Sequence, residues 1–111
     1  MNIAFRSQKL RKDCNDYRRM VKRFGAVGAK KLSTRLDDLR AARVLEDMRH
    51  VGGRCHELKG DRAGQLALDL EHPYRLIFVP GNDPAPLESD GSLDWTQVDA
   101  VVIHAAEDYH G

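Results

Sequence analysis

Cysteine, aromatic residues and long apolar runs are all scarce in this chain, and each scarcity excludes something. Two cysteines, Cys14 and Cys55, are too few for the disulfide framework of a small secreted domain. No stretch approaches the roughly 18 consecutive apolar residues of a membrane span. The opening "MNIAFRSQKL" has no apolar core of an export signal. Together these predict a cytoplasmic chain with two reduced thiols and no membrane partner. Also missing are the phosphate-binding GxxxxGK[ST], the nucleophile elbow GxSxG and the zinc-binding HExxH. "CHELKGD" sets one His beside one Cys, which is not a zinc spacing. The expectation is therefore no metal and no cofactor. Basic residues are lacking in one half only. Residues 63–111 carry a single one, Arg75, against 9 acids.

What is present is a chain of 111 residues, 41% apolar and 32% charged. That predicts one folded domain over residues 1–111 with one small core. The net charge of +1 conceals a division, because residues 1–62 carry 17 Lys and Arg against 8 Asp and Glu. A positive front half suits an anionic polymer. Arg and Lys are also good helix formers on a solvated face.

The pattern divides the chain in the same way. "NIAF" reads as a short strand. Ser7 reads as the N-cap of a helix running to a stop at Gly25, with Leu10, Cys14, Tyr17, Val21 and Phe24 as its apolar stripe. A second helix is predicted from Val27 to Arg43, antiparallel to the first. "VLEDMRHVGG" reads as an irregular connection pinned by Leu45 and Met48. The remainder reads as sheet. "RCHEL" is a short strand, "KGDRAG" a turn, and "QLALDL" a strand with Leu66, Leu68 and Leu70 on one face. "YRLIFV" is a more buried strand with Tyr74, Leu76 and Phe78 facing one way. "VDAVVIHAA" is the last strand, and "EDYHG" leaves its end. Residues 80–97 form a long acidic loop, with Trp95 as its anchor to the body. The class is α+β, with a helical hairpin covering one face of a mainly antiparallel sheet. The other face is left as a working surface.

Seven residues carry chemistry: His56, Lys59, Arg62, Arg75, Asp108, Tyr109 and His110. Each has a plain alternative. His56 can be a half-buried strand residue, Lys59 and Arg62 solvated turn residues, Tyr109 a C-terminal anchor and His110 a frayed end. Arg75 can be a salt bridge to Asp69 or Asp99. As a set they suffice for RNA cleavage without water as the nucleophile. Histidine serves as base or acid near neutral pH, and Arg and Lys hold a phosphate as charge grows on it. Tyrosine can stack on a base or donate its proton.

The segment "RCHELKGDRAGQLALDLEHPYRLIF" resembles the centre of the RelE/ParE superfamily of bacterial toxins, and most closely its HigB-type mRNA interferases. Arg54, His56, Leu58, Lys59, Gly60, Asp61 and Gly64 follow that branch's arrangement. Tyr74 and Arg75 match its aromatic-Arg pair, and Asp108, Tyr109 and His110 match its ending. Gln65 and Leu66 depart from the usual aromatic after the glycine. Pro73 stands just before a strand, and the 80–97 loop is longer and more acidic than the usual hairpin.

The resemblance implies a RelE-like fold with a curved sheet. It implies a ribosome-dependent mRNA endonuclease of the toxin–antitoxin type, silenced by a cognate antitoxin. Operator DNA would be touched only through the antitoxin complex. Carried over by residue, His56 and His110 are the acid and base, in either order. Lys59 and Arg75 bind the phosphate, Asp108 and Tyr109 position the substrate, and Arg54 and Arg62 join Lys59 and Arg75 on the RNA. Two other readings stay open: a toxin of this fold directed at DNA gyrase, and a non-catalytic binding module or repressor-complex subunit.

Overall fold

The computed structural model describes residues 1–108. Strand β1 (Asn2–Phe5) leads into helices α1 (Gln8–Asn15) and α2 (Tyr17–Ala41) and a 3-10 turn at Leu45–His50. Then come β2 (His56–Glu57), a 3-10 turn at Gly60–Arg62, β3 (Leu66–Asp69), β4 (Tyr74–Pro80) and β5 (Ala100–Asp108). The sheet order is β1-β5-β4-β3-β2. β1 runs parallel to β5, and the other pairings are antiparallel. This is the expected α+β arrangement, with an N-terminal helical region packed against a mixed sheet.

The helices differ from expectation in where they break. Ser7 caps α1, its hydroxyl accepting the Leu10 N–H at 3.1 Å. The single helix read from Ser7 to Gly25 is interrupted at Asp16, which is extended at φ −127 and ψ 109. Its carboxylate accepts the Arg18 N–H at 3.0 Å and caps α2. Asn15 donates its amide to the Arg11 carbonyl at 2.7 Å. Two polar side chains that satisfy local backbone groups thus outweigh a continuous apolar stripe. Gly25 breaks the helical path as expected, at φ 76 and ψ 172. Two helical segments meet there, so α2 is broken at Gly25, where the sequence reading ends its first helix. Past the break, Gly28 lies close to Phe24, and a Cβ there would come within 2.8 Å of the Phe24 Cβ. α2 ends at Ala41, short of the expected Arg43.

The core lies between α2 and one sheet face. Leu32, Leu36 and Leu39 from α2 meet Leu66, Leu68, Leu76, Phe78 and Ile103 from the strands, all but inaccessible to water. Leu45 and Met48 join them from the first 3-10 turn, as the sequence reading has it. Burying each such side chain contributes roughly 1.5–3 kcal/mol before the entropy of ordering the chain opposes it. The alternation in β3 and β4 follows the reading too, with Leu66, Leu68, Leu70, Leu76 and Phe78 all in this core.

β5 is longer than expected. Glu107 and Asp108 belong to the strand instead of leaving it. Ile77 pairs with Ala105 and Phe78 with Ile103, so His104 is an extra residue on β5, a bulge. The segment between β4 and β5 is tied down at Trp95, which is 5% exposed. Its Nε1 donates to Glu57 Oε2 at 3.0 Å, and the Arg49 guanidinium lies 3.8 Å over its ring. The loop acids Asp90 and Asp94 are turned to local use, accepting from Ser92 and Thr96.

Candidate functional site

Strand register assembles the site on the sheet face turned away from the helices. Directly opposed residues share a face. His56 stands opposite Ala67, Ala67 opposite Ile77, and Ile77 opposite Ala105. The next row on that face is Asp69, Arg75 and Glu107. Neither Ala67 nor Ile77 joins the helix-side core, although both are buried. His56 and Arg75 therefore sit on one surface, two strands and two residues apart. Strand spacing puts their Cα atoms on the order of 12 Å from one another, a span that two side chains can close around a phosphate.

The Arg75 side chain is 13% exposed, and its Nη2 stands 3.7 Å from Glu107 Oε1. The partner is thus Glu107 on one side, with Asp69 opposed on the other. Asp99, the other candidate for a salt bridge, accepts from the Asn82 amide at 2.9 Å. Arg62 Nη2 reaches Glu107 Oε1, the oxygen that faces Arg75, at 2.6 Å, while its Nε donates to Gln65 Oε1 at 3.0 Å. Arg54 grips Asp69 with two hydrogen bonds of 2.9 and 3.3 Å. Arginines and carboxylates thus alternate along one row of the face.

His56 Nδ1 lies 2.7 Å from the Arg54 carbonyl oxygen. A carbonyl only accepts, so Nδ1 carries a proton and Nε2 is the nitrogen left for chemistry. Arg54 holds this carbonyl at φ 50, a left-handed backbone that a non-glycine residue rarely adopts. Lys59 is exposed, just before the second 3-10 turn, on the same β2–β3 connection as Arg62.

Asp108 stands opposite Tyr74, on the helix-side face. There Tyr74 meets Phe24 edge to face at 5.1 Å. By register Asp108 thus points away from the face that carries His56 and Arg75. Tyr109 and His110 lie outside the described residues. Glu107 is absent from the set read in the sequence. It would have followed from letting β5 run two residues further, because parity then places it beside Arg75.

A second basic surface lies on the far side of β5. A cleft of about 630 Å³ is lined by Lys9, Arg19, Lys22, Arg23 and His104, with Asp13 among them. Arg23 donates to the Ala106 carbonyl at 3.0 Å, bridging α2 to β5. Asp13 takes Arg19 at 2.9 Å and Arg23 at 3.6 Å. Among the described residues no three His, Cys, Asp or Glu side chains are grouped to hold a metal ion. No helix among them is long and apolar enough to cross a membrane.

No family model matches the chain, and no curated protein does. Solved structures do. A YoeB/ParE toxin from Agrobacterium tumefaciens superposes with a TM-score of 0.58 at 12% identity, over 98% of this chain and 99% of that one. The YoeB-YefM complex from Staphylococcus aureus matches with a TM-score of 0.55 at 19% identity, over 100% of this chain and 98% of that one. The fold of this chain is thus the RelE-like α+β fold of those toxin structures, over essentially its whole length.

Proposed function

We propose that the protein is a toxin of the HigB type, a ribosome-dependent mRNA endonuclease of the cytoplasm that a cognate antitoxin neutralises. The observation that carries this reading is that strand register puts His56 and Arg75 on one sheet face, with Arg62 reaching Glu107 beside Arg75. His56 Nε2 takes the proton from an RNA 2′-hydroxyl. The 2′-oxygen bonds to the adjacent phosphorus and the bond from phosphorus to the 5′-oxygen breaks. Products are a 2′,3′-cyclic phosphate and a 5′-hydroxyl, and no metal is required. Arg75 and Lys59 hold the phosphate as charge builds on its oxygens. Arg54 and Arg62 guide the strand. His110 protonates the leaving 5′-oxygen, with Tyr109 positioning substrate beside it, while Asp108, on the opposite face, takes no part. The hydrogen bond from Nδ1 to the Arg54 carbonyl leaves Nε2 for the proton transfer. The likeness to a toxin solved with YefM supports an antitoxin partner, through which alone operator DNA would be contacted.

The test is mRNA cleavage in a reconstituted translation system, with and without ribosomes. Wild-type protein is expected to leave 5′-hydroxyl ends only when ribosomes are present. His56→Ala should lower cleavage about 10²–10⁴-fold, the usual worth of a positioned proton acceptor, while its unfolding midpoint stays close to wild type. Folded, antitoxin-free protein that makes no cuts would refute the nuclease and favour a binding module or a gyrase-directed toxin.

A further inference from the structure

Glu107 puts a carboxylate where the proposed reaction puts a phosphate. Its Oε1 stands 2.6 Å from Arg62 Nη2 and 3.7 Å from Arg75 Nη2. An anionic oxygen between two guanidiniums is the arrangement a non-bridging phosphate oxygen also adopts. The two side chains are about a third exposed, but the shared oxygen is itself shut off from water and takes no well-formed hydrogen bond among the described residues.

The two ends of the contact are held differently. Glu107 is fixed on β5 opposite Arg75. Arg62 ends a three-residue 3-10 turn that begins at Gly60 and is followed by Gly64, both glycines at positive φ. Its other side-chain bond goes to Gln65, three residues away. The arginine can therefore be drawn off by an arriving anion while the carboxylate stays in place.

We propose that Glu107 is an internal competitor for the anion site, holding Arg62 beside Arg75 until a phosphodiester draws Arg62 away. The anion's identity as an RNA phosphodiester rests on the nuclease reading. The competition itself rests on the geometry. A single phosphate then binds weakly, because it must break an existing ion pair before gaining its own. A strand delivered by a larger assembly brings binding energy from elsewhere and opens the cradle. Glu107 thus makes the site selective for presented substrate over free RNA and free phosphate.

Glu107→Gln removes the charge and keeps the shape. Two probes are used: inorganic phosphate, followed by NMR titration, and a 2′-O-methyl RNA oligonucleotide that cannot be cleaved, followed by fluorescence anisotropy. Glu107→Gln should bind both more tightly than wild type, by up to about 5-fold, and the gain should vanish in an Arg62→Ala background. If Glu107 only orients Arg75, the substitution weakens binding of both probes and the proposal fails. RNA bound equally well by wild type and variant also sinks it, while leaving the nuclease reading intact. Phosphate bound more tightly by the variant, with RNA bound by neither protein, upholds the competitor and removes RNA as the ligand. Glu107→Ala is run alongside, so that loss of folding in one variant leaves the comparison standing.

Discussion

Single residues act here mostly through parity and burial. One position along β5 separates Glu107, on the face of Arg75, from Asp108, on the face of Tyr74. The residue types were legible in the sequence, but their side of the sheet depends on where the strand ends. Burial has its own chemical effect at Cys14. Desolvation, with Asp13 beside it, pushes that thiol from 9.0 up to about 11. In the unfolded chain it ionises near its ordinary value. Between pH 9 and 11 the unfolded state therefore loses a proton that the native state keeps. Stability is whole below pH 9 and falls as pH rises through that window, by at most about 1.4 kcal/mol per pH unit for this group. Cys55, pushed by burial to about 12, adds a loss in the same direction. Urea unfolding from pH 8 to 10.5 should show a shallower decline for Cys14→Ala than for wild type. Parallel slopes would mean that the thiol is not the cause.

Elements show where local chemistry overrides a pattern. The stripe from Leu10 to Phe24 is helical in period, and all of it but Asp16 is helical in fact. The break reflects an Asn-Asp pair whose side chains bond nearby backbone. Period alone does not register that competition. Gly25 was legible because its effect is intrinsic: at φ 76 and ψ 172 almost any side chain is strained. A Cβ at Gly25 would meet nothing within 4 Å, so the cost of substitution is purely conformational. Gly25→Ala should destabilise the protein by about 1–3 kcal/mol, measured by chemical denaturation. An unchanged midpoint would show that the chain passes this point in another conformation. β2 is shorter than its five-residue reading because only His56 and Glu57 find partners on β3.

At the scale of the molecule, the division of charge becomes a division of surface. The basic front half supplies the cleft lined by Lys9, Arg19, Lys22 and Arg23, across β5 from the candidate site. Asp13 engages Arg19 and Arg23, and Lys9 and Lys22 remain exposed. If the nuclease acts on ribosome-bound RNA, these lysines contribute long-range attraction without touching the reacting atoms. Lys9→Ala with Lys22→Ala should weaken ribosome association and reduce its dependence on log salt by about two, one for each phosphate no longer neutralised. Co-sedimentation at several salt concentrations measures this. A salt slope unchanged from wild type would place the docking surface elsewhere.

The sequence alone determined what depends on local chemistry and on period. Ser7 capped a helix, Gly25 broke one, and the leucines of β3 alternated inward because each preference resides in the residue or its near neighbours. The motif around His56 and the lone Arg75 in the strongest strand made both residues candidates for the same reason. Only the tertiary structure decided which residues meet. Pairing across three strands brings His56 and Arg75 to one face. Arg62 and Glu107, 45 positions apart in the chain, are joined by the fold around a shared oxygen. That encounter has no period and no local signature, because it is made by strand register, and register is set by the core packed against the opposite face.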